Sequence, residues 1–148
     1  MRSANQSKTI LIIEEDNSQR AHFNEYVDKR FGVSLIIKEN CQTALAYLQN
    51  VQQTHAALPS LLLVNYQDIL MTGQMLFDEL KKINLRGCLP VIALNDTDDK
   101  AIIDEAYNRG VASYFIKPTE RQAWHSFFTL LIRYWFEEVT LPSYSISC

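Results

Sequence analysis

Five short apolar runs, separated by longer segments whose apolar residues recur at helical spacing, constrain the fold of this chain most strongly. The runs are residues 10–13, 33–37, 61–65, 91–95 and 114–116. Each run is too short for a stable helix, and the first is rich in β-branched residues, so the runs predict buried strands. Strands that are apolar on both faces indicate a parallel sheet covered by helices on both sides.

The segments between the runs predict the covering helices. The first is a helix over 18–31, capped by Asn17 or Ser18 and ended by Gly32, and the second is capped by Asn40 and carries Ala44 to Val51. The third runs through Met75 to Ile83, and the fourth runs from a cap at Asp96 or Thr97 to Gly110. The fifth covers residues 119–138. Right-handed crossovers then favour a doubly wound α/β sandwich. We therefore predict a flavodoxin-like (βα)5 fold with a five-stranded parallel sheet in the order 2-1-3-4-5.

Length and charge limit the classes of function. The chain has 148 residues, of which 47% are apolar and 21% charged, as in a soluble globular domain. We predict a polar segment at 1–8, one domain at 9–140 and a tail at 141–148. A net charge of −3 argues against a broad nucleic-acid-binding surface.

Two further patterns bear on the compartment. No apolar run approaches the roughly 20 residues of a membrane span, and the polar N-terminus is not that of a signal peptide, so we expect a cytoplasmic protein without a membrane anchor. The three cysteines, Cys41, Cys88 and Cys148, are widely spaced and lack a C-x-x-C pattern. We expect reduced, mostly buried thiols rather than disulfides or a zinc site.

Polar residues stand where the predicted strands end. Ligands of such sheets bind beyond the carboxyl ends of the strands, so these residues are the candidates for function. They are Glu14, Glu15 and Asp16 after the first strand, Asn65 at the end of the third, Asn95 at the end of the fourth, and Tyr114 and Lys117 in and after the fifth.

This order of residues resembles the receiver domain of two-component response regulators, the CheY-like domains, over roughly residues 8–138. The local sequences of 10–17, 90–94 and 110–118 carry the resemblance. Residues 134–142 are also similar to the C-terminus of single-domain response regulators associated with phytochrome-type kinases. The resemblance implies a non-enzymatic module of phosphorelay signalling, with a sensor histidine kinase or another signalling protein as partner.

The chain departs from that family at the centre of the site. A working receiver has a phosphate-accepting aspartate where Asn65 stands, and it holds Mg²⁺ through an acid pair, here Glu14 and Glu15, and a backbone carbonyl, here that of Gln67. A carboxamide is far less nucleophilic than a carboxylate and brings no charge to a metal. We therefore expect no phosphorylation at the usual position. Mg²⁺ binding is possible but weakened, and no other cofactor is expected.

Further departures concern the switch positions. Asn95 replaces a serine or threonine, although its amide can still donate a hydrogen bond. Tyr114 and Lys117 match their family positions.

The loop after the third predicted strand also departs from the family. Asp68-Ile69 replace a Met-Pro pair and Thr72 replaces an acid, whereas Gly73 matches the family glycine. The departures together predict a pseudo-receiver.

Several roles stay open for the charged residues. Glu14 and Glu15 either hold a weak cation or, as we favour, form a solvated acidic loop or an ion pair with Lys117. Lys117 could instead donate to the side-chain oxygen of Asn65. Asp68 could replace the missing acceptor in a phosphorylatable receiver, but it would need a different loop path to reach the pocket.

The last predicted helix carries more apolar residues than one buried face needs. A stripe of Trp124, Phe127, Phe128, Leu131, Ile132 and Trp135 faces the core, and Ala123, Leu130, Tyr134 and Val139 widen it. The excess width suggests a partner or homodimer interface. Our interface candidates are Trp124, Phe127, Phe128, Tyr134 and Trp135. In receivers, helix four, strand five and helix five form the usual output and dimer surface. Alternatively, Leu141 and Pro142 fold back over this face.

A second class of function is a flavodoxin-like small-ligand binder or enzyme. Such proteins need a loop rich in Gly, Ser or Thr after the first strand to cradle a phosphate. Residues 14–18 are acidic and contain no glycine, so this loop would repel a phosphate. This alternative is therefore the less favoured one.

Overall fold

Five parallel strands form one sheet in the order β2-β1-β3-β4-β5, which confirms the predicted flavodoxin-like topology. The structure is a computed structural model that describes residues 8–68, 76–83 and 89–138. The strands are β1 (Thr9–Ile13), β2 (Ser34–Lys38), β3 (Leu61–Asn65), β4 (Val91–Asn95) and β5 (Ser113–Ile116). β1 lies between β2 and β3, with Ile12 paired to Ile37 on one side and to Leu63 on the other.

Helices cover both faces of this sheet. They are α1 (Asn17–Tyr26), α2 (Cys41–Gln53), α3 (Leu76–Lys82), α4 (Lys100–Arg109) and α5 (Arg121–Ile132). A 3₁₀ turn at Lys29–Phe31 follows α1, residues 66–68 form a helical turn after β3, and α5 continues as a π-helical segment, Arg133–Glu138. In the described part of the chain, no helix is long and apolar enough to cross a bilayer.

The first helix is shorter than predicted. α1 ends at Tyr26 because Val27 adopts an extended backbone conformation, and the predicted remainder of the helix is the 3₁₀ turn. Gly32 ends that turn with a φ of 65°, a left-handed conformation that suits glycine. Phe31, which has helical spacing in the sequence, therefore packs from the 3₁₀ turn instead.

The helix caps were predicted with mixed success. Asn40 caps α2, as expected, by accepting a hydrogen bond from the backbone N–H of Thr43. Asp16 caps α1 through the N–H groups of Ser18 and Gln19, and Asp99 caps α4 through that of Ala101. The predicted caps Asn17 or Ser18, and Asp96 or Thr97, were therefore wrong, because a nearby carboxylate satisfies the first free N–H groups of each helix.

The strands divide the core into two layers. Leu11 and Ile13 face the side covered by α2, α3 and α4, whereas Ile10 and Ile12 face the side covered by α1 and α5. All four side chains are fully buried. Burial on both faces explains why these strands are apolar throughout rather than alternating.

The apolar stripe of α5 belongs to the second layer. Trp124 stacks on Tyr26 of α1 with ring centroids 5.6 Å apart, and Phe128 packs edge-on against Phe23 at 6.0 Å. Phe127 is also buried. The expectation that Trp124, Phe127 and Phe128 contribute to an interface is therefore corrected, because helix α1 already covers most of this aromatic group.

Some predictions fall outside the described residues. These concern Ile69, Thr72, Gly73, Met75, Cys88, Val139, the whole of 141–148 and all but Lys8 of 1–8. The remaining cysteine, Cys41, is a buried free thiol, and desolvation by burial raises its pKa to about 11. A thiol of such high pKa is unreactive at neutral pH.

The α1–α5 aromatic layer gives a test of the core. Phe128→Ala should lower the free energy of unfolding by about 3–5 kcal/mol, because it removes a fully buried ring and leaves a cavity. Phe128→Met, which keeps most of the volume, should cost less than about 1.5 kcal/mol. Urea unfolding followed by circular dichroism measures both. Equal losses for the two variants would contradict tight packing here.

Candidate functional site

The candidate site lies at the edge of the sheet where the carboxyl ends of the strands meet. Glu14 follows β1, Asn65 ends β3, and Lys117 follows β5. Since the strands are parallel, these residues, far apart in the sequence, converge at one edge. The structure brings all three side chains into direct contact.

Glu14 is the centre of this cluster. Its carboxylate is buried, with 2% of the residue exposed. One oxygen, Oε1, accepts from the ammonium of Lys117 at 3.3 Å. The other, Oε2, accepts from Nδ2 of Asn65 at 3.2 Å and from the backbone N–H of Asp16 at 3.3 Å. A buried charge with these three donors is compensated without any further ligand.

This arrangement fixes the orientation of the Asn65 amide. A carboxylate offers only acceptors, so the carboxamide must turn its NH₂ group toward Glu14. Lys117 correspondingly pairs with Glu14. Of the roles considered for Lys117, the ion pair with the acidic loop is thus the one present. Among the described contacts, the lysine makes no hydrogen bond to the Asn65 oxygen.

The backbone around Lys117 holds its side chain in place. Its N–H donates to the carbonyl oxygen of Asn95 at 2.7 Å, which joins the end of β5 to the end of β4. Pro118 follows directly and restricts the chain beyond it. The lysine therefore leaves the sheet in a defined direction, toward Glu14.

Asp68 lies at the rim of the site, contrary to expectation. Its Oδ2 accepts from the backbone N–H of Glu15 at 3.0 Å, because the helical turn at 66–68 folds Asp68 back toward the loop after β1. A proline at position 69 would disfavour a helical conformation for residue 68, and this chain has Ile69 there. Gln67, in the same turn, is exposed, as is Glu15.

The surroundings of Asp68 alter its acidity. The pKa of Asp68 is raised to about 6, chiefly by burial and also by the nearby charges of Glu14 and Glu15, while the hydrogen bond from the Glu15 N–H and the charge of Lys117 oppose the rise. Asp68 is thus ionised at neutral pH but takes up a proton in mildly acidic solution.

Arg20 is a residue of the site that the sequence analysis missed. Its Nη1 donates to the carbonyl oxygens of Glu14 at 2.9 Å and Glu15 at 2.7 Å, and its Nη2 donates to Oδ1 of Asn17. The guanidinium therefore fastens the acidic loop to α1. The available signal was a cation in the first turn of the helix that follows an acidic loop.

Asn95 and Tyr114, the two predicted switch positions, lie next to the cluster. Asn95 is buried, with 1% exposed, and its Oδ1 accepts from the backbone N–H of Asp96. Its Nδ2 has no hydrogen-bond partner among the described residues. The hydroxyl of Tyr114 donates to the carbonyl oxygen of Thr97 at 2.8 Å, and burial raises the pKa of this phenol. Tyr114 is thereby held against the loop after β4.

The donor set does not fit the Mg²⁺ site that the resemblance implies. Mg²⁺ requires oxygen ligands in octahedral geometry. Both oxygens of Glu14 face N–H donors, and Asn65 turns its nitrogen toward Glu14, as described above. Within residues 8–68, 76–83 and 89–138, no group of three or more His, Cys, Asp or Glu side chains is placed to hold a metal.

Comparison with known proteins identifies the fold. No protein-family model matches the chain, and no curated protein matches its sequence. Among solved structures, one match is the response regulator RPA3017 in red light signaling of R. palustris, with a TM-score of 0.75 and 21% sequence identity. The match covers 91% of this chain and 98% of that chain.

Two further solved structures are similar to this chain. The phosphorylated cyanobacterial phytochrome response regulator RcpA has a TM-score of 0.75 and 20% identity, over 93% of this chain and 99% of that chain. The Mn²⁺-bound form of response regulator Rcp1 has a TM-score of 0.67 and 21% sequence identity, over 91% of this chain and 99% of that chain. The structural neighbours are thus response regulator receiver domains, and at these identities they establish the CheY-like fold of this chain.

The buried ion pair can be tested against an exposed one. Lys117→Met should lower the free energy of unfolding by roughly 3 kcal/mol, because it leaves the Glu14 carboxylate buried without its counter-charge. Lys82→Met removes a solvent-exposed pair with Glu79 and should cost less than about 1 kcal/mol. Chemical unfolding measures both, and a double variant with Glu14→Gln should recover part of the loss.

The raised pKa of Asp68 gives a pH dependence with a defined sign. Between pH 4 and 6 the folded state holds a proton on Asp68 that the unfolded state has lost, so this residue makes the protein less stable as pH rises through that window. The free energy of unfolding of Asp68→Asn, relative to that of the wild type, should therefore increase from pH 4 to pH 7. Urea unfolding of both proteins at each pH measures this.

Asp28 provides the control for that pH series. Hydrogen bonds from Arg30 lower the pKa of Asp28 to about 2, so its contribution to stability is lost only as pH falls below about 4. The difference in the free energy of unfolding between the wild type and Asp28→Asn should stay constant from pH 5 to 8. If the same difference for Asp68→Asn is also independent of pH, the raised pKa of Asp68 is contradicted.

Proposed function

We propose that this chain is a receiver-like signalling module of a two-component phosphorelay system that is not phosphorylated at the usual position. It acts through contacts with other proteins, such as a sensor histidine kinase or another signalling protein, and it is not an enzyme. The receiver fold of the structural neighbours supports the first part. The geometry around Asn65 supports the second.

The observation that carries the proposal is the hydrogen bond of 3.2 Å from Nδ2 of Asn65 to Glu14. A phosphoryl acceptor needs a free nucleophilic oxygen, and a carboxamide is a poor nucleophile. Lys117, the cation that would otherwise approach the phosphoryl oxygens, is paired with Glu14. The acceptor position and the lysine are thus both engaged in stabilising one buried carboxylate.

Charge explains why asparagine suits this position. Glu14, Glu15 and Asp68 already place three carboxyl groups at this edge of the sheet, and of these Glu14 is paired with Lys117. An aspartate at position 65 would add a fourth beside the buried Glu14, and like charges at such short distance need a cation between them. Asparagine instead supplies a donor, so the site needs no metal to remain folded.

The switch positions support an output that is independent of phosphorylation. Asn95 has no hydroxyl to follow a phosphoryl group, and Tyr114 is held by its hydrogen bond to Thr97. Burial on one side and this hydrogen bond on the other favour a single position for the tyrosine ring. The surface formed by α4, β5 and α5 then has one conformation, which a partner recognises directly.

The exposed side of α5 is the proposed contact surface. The ring of Phe127 packs on that of Phe115 of β5, with centroids 5.2 Å apart, whereas Trp124 packs on α1. The residues three and seven positions after Phe127 share its side of the helix and therefore lie toward β5. These residues are Leu130 and Tyr134, which are 59% and 52% exposed. Trp135, half-buried, packs edge-on against Tyr134. A partner protein or a second copy of the chain would bury this surface.

A phosphorylatable receiver with Asp68 as acceptor is the second candidate. The position of Asp68 beside Glu15 favours it, since the carboxylate lies at the rim of the same site. Its ionisation above pH 6 would leave it nucleophilic at neutral pH. This candidate differs from the first in a property that can be measured directly.

Phosphorylation is tested with acetyl phosphate and Mg²⁺, read by intact mass. We expect the wild-type chain to gain no phosphoryl group, because neither oxygen of Glu14 nor the amide of Asn65 is a free nucleophile. A phosphoryl adduct that disappears in Asp68→Asn would establish the second candidate instead. An adduct that persists in Asp68→Asn and in Asn65→Ala would contradict both.

Asn65→Asp tests the charge argument independently. In EDTA this variant should lose about 1–3 kcal/mol of unfolding free energy, because Glu14 exchanges a donor for a second carboxylate. Mg²⁺ should restore stability to the variant but leave the wild type unchanged. Thermal unfolding with and without Mg²⁺ measures this. An equal Mg²⁺ response of both proteins would show that Asn65 does not control metal binding.

The contact surface is tested by sedimentation equilibrium of the full chain. Tyr134→Arg should weaken self-association at least about tenfold, because it places a charge in a desolvated contact. Gln122→Arg, which lies on the α1 side of the same helix near Tyr26, is the matched control and should have no effect. A wild-type chain that stays monomeric at all concentrations would exclude the homodimer and leave only a foreign partner.

A further inference from the structure

Strand β5 lies at one edge of the sheet, so its outer side has no neighbouring strand among the described residues. Its inner side is paired with β4: Asn95 lies opposite Ile116, and the N–H of Lys117 donates to the carbonyl oxygen of Asn95 at 2.7 Å. Backbone groups of successive residues alternate between the two sides of a strand, so those of Tyr114 and Ile116 point outward. Outward groups of this kind can pair with a strand of another molecule.

The sequence of β5 makes such pairing a hazard. Residues 111–116 read Val-Ala-Ser-Tyr-Phe-Ile, with no charged residue, no glycine and no proline. Uncharged segments of this length with high β-propensity associate edge to edge when they are exposed. Ile116 leaves 53% of its surface exposed at this edge. Lys117 and Pro118 limit pairing only beyond the end of the strand, since they follow it.

Tyr107 of helix α4 occupies the outer side of this edge. The backbone N–H of Tyr114 donates to the hydroxyl oxygen of Tyr107 at 3.1 Å. A hydrogen bond between two strands has about the same length, so the phenol oxygen stands where the carbonyl oxygen of an added strand would have to lie. Tyr107 is 47% exposed, which places its side chain at the surface and not in the core.

The helix that carries Tyr107 is fastened to the same residue of β5 at a second point. The hydroxyl of Tyr114 donates to the carbonyl oxygen of Thr97, which lies in the loop before α4, at 2.8 Å. Tyr114 thus contacts the loop that leads into α4 through its side chain and the last part of α4 through its backbone. The phenol of Tyr107 is thereby held over the edge although it is not buried.

We infer that Tyr107 closes the open edge of β5 to strand addition, so that this side of the molecule meets other proteins through side chains and not through a shared sheet. The inference stands independently of the proposed function, because it concerns backbone groups of β5 and not the exposed residues of α5. It explains why an uncharged edge strand can lie at the surface without pairing with a second copy of the chain.

Hydrogen exchange of single backbone amides tests the closure directly. Tyr107→Phe keeps the ring but removes the acceptor, so the Tyr114 N–H should exchange at least about tenfold faster than in the wild type. The N–H of Lys117, which donates inward to Asn95, should exchange at the wild-type rate. An unchanged rate at Tyr114 would overturn the inference. An equal rise at Lys117 would also overturn it, because the whole strand would then have loosened.

Removal of the whole side chain tests what the closure prevents. Tyr107→Ala puts a good helix former on the exposed surface of α4 and uncovers the edge of β5. In sedimentation equilibrium, the full chain with this substitution should self-associate at least about tenfold more strongly than the wild type. Asn108→Ala, at the next exposed position of α4, is the matched control and should associate as the wild type does. Wild-type behaviour of Tyr107→Ala would overturn the inference.

A proline distinguishes pairing at the edge from the contact surface of α5. Ile116→Pro removes an outward N–H and leaves the inward bonds of β5 in place, so adding it to Tyr107→Ala should return association to the wild-type level. Tyr134→Arg, added to Tyr107→Ala instead, should leave the increase unchanged. If Tyr134→Arg abolishes the increase and Ile116→Pro does not, association runs through α5. That result would overturn the inference and support the contact surface of the proposed function.

Discussion

The buried carboxylate of Glu14 is the centre of the interactions on which this edge of the sheet depends. A charge at 2% exposure is tolerated only when donors surround it, and here they come from Lys117, Asn65 and the backbone of Asp16. Those donors belong to the ends of β5 and β3 and to the loop after β1. One carboxylate thus ties three separate segments together at the edge of the sheet.

The identity of residue 65 determines what this edge can do. With a donor at that position, the cluster is closed and neutral at its centre, and the remaining carboxylates of Glu15 and Asp68 lie at the rim. On the function we propose, an acceptor at that position would make the same edge more stable with a cation than without one. A difference of one NH₂ group against one oxygen would then separate a self-contained site from one that binds a metal.

Much of the fold was predictable because the signals are local and repeated. The apolar runs of β1 and β3 and the cap at Asn40 follow from the sequence alone. The position of Asp68 did not, because it depends on a helical turn at 66–68 that brings its carboxylate to the backbone of Glu15, a residue far away in the sequence. The role of Arg20 also escaped, since a cation in the first turn of α1 does not reveal that two of its acceptors are the backbone carbonyl oxygens of Glu14 and Glu15.

The sequence by itself determined the five strands, their order, and the presence of an asparagine at the end of β3, because hydrophobic period and residue chemistry are properties of short segments. Only the tertiary structure decided which apolar residues of α5 are core and which are surface, since Phe128 and Leu130 are both apolar but differ in burial. It also decided that Lys117 pairs with Glu14. Contacts between distant segments depend on direction and distance, which no local pattern encodes.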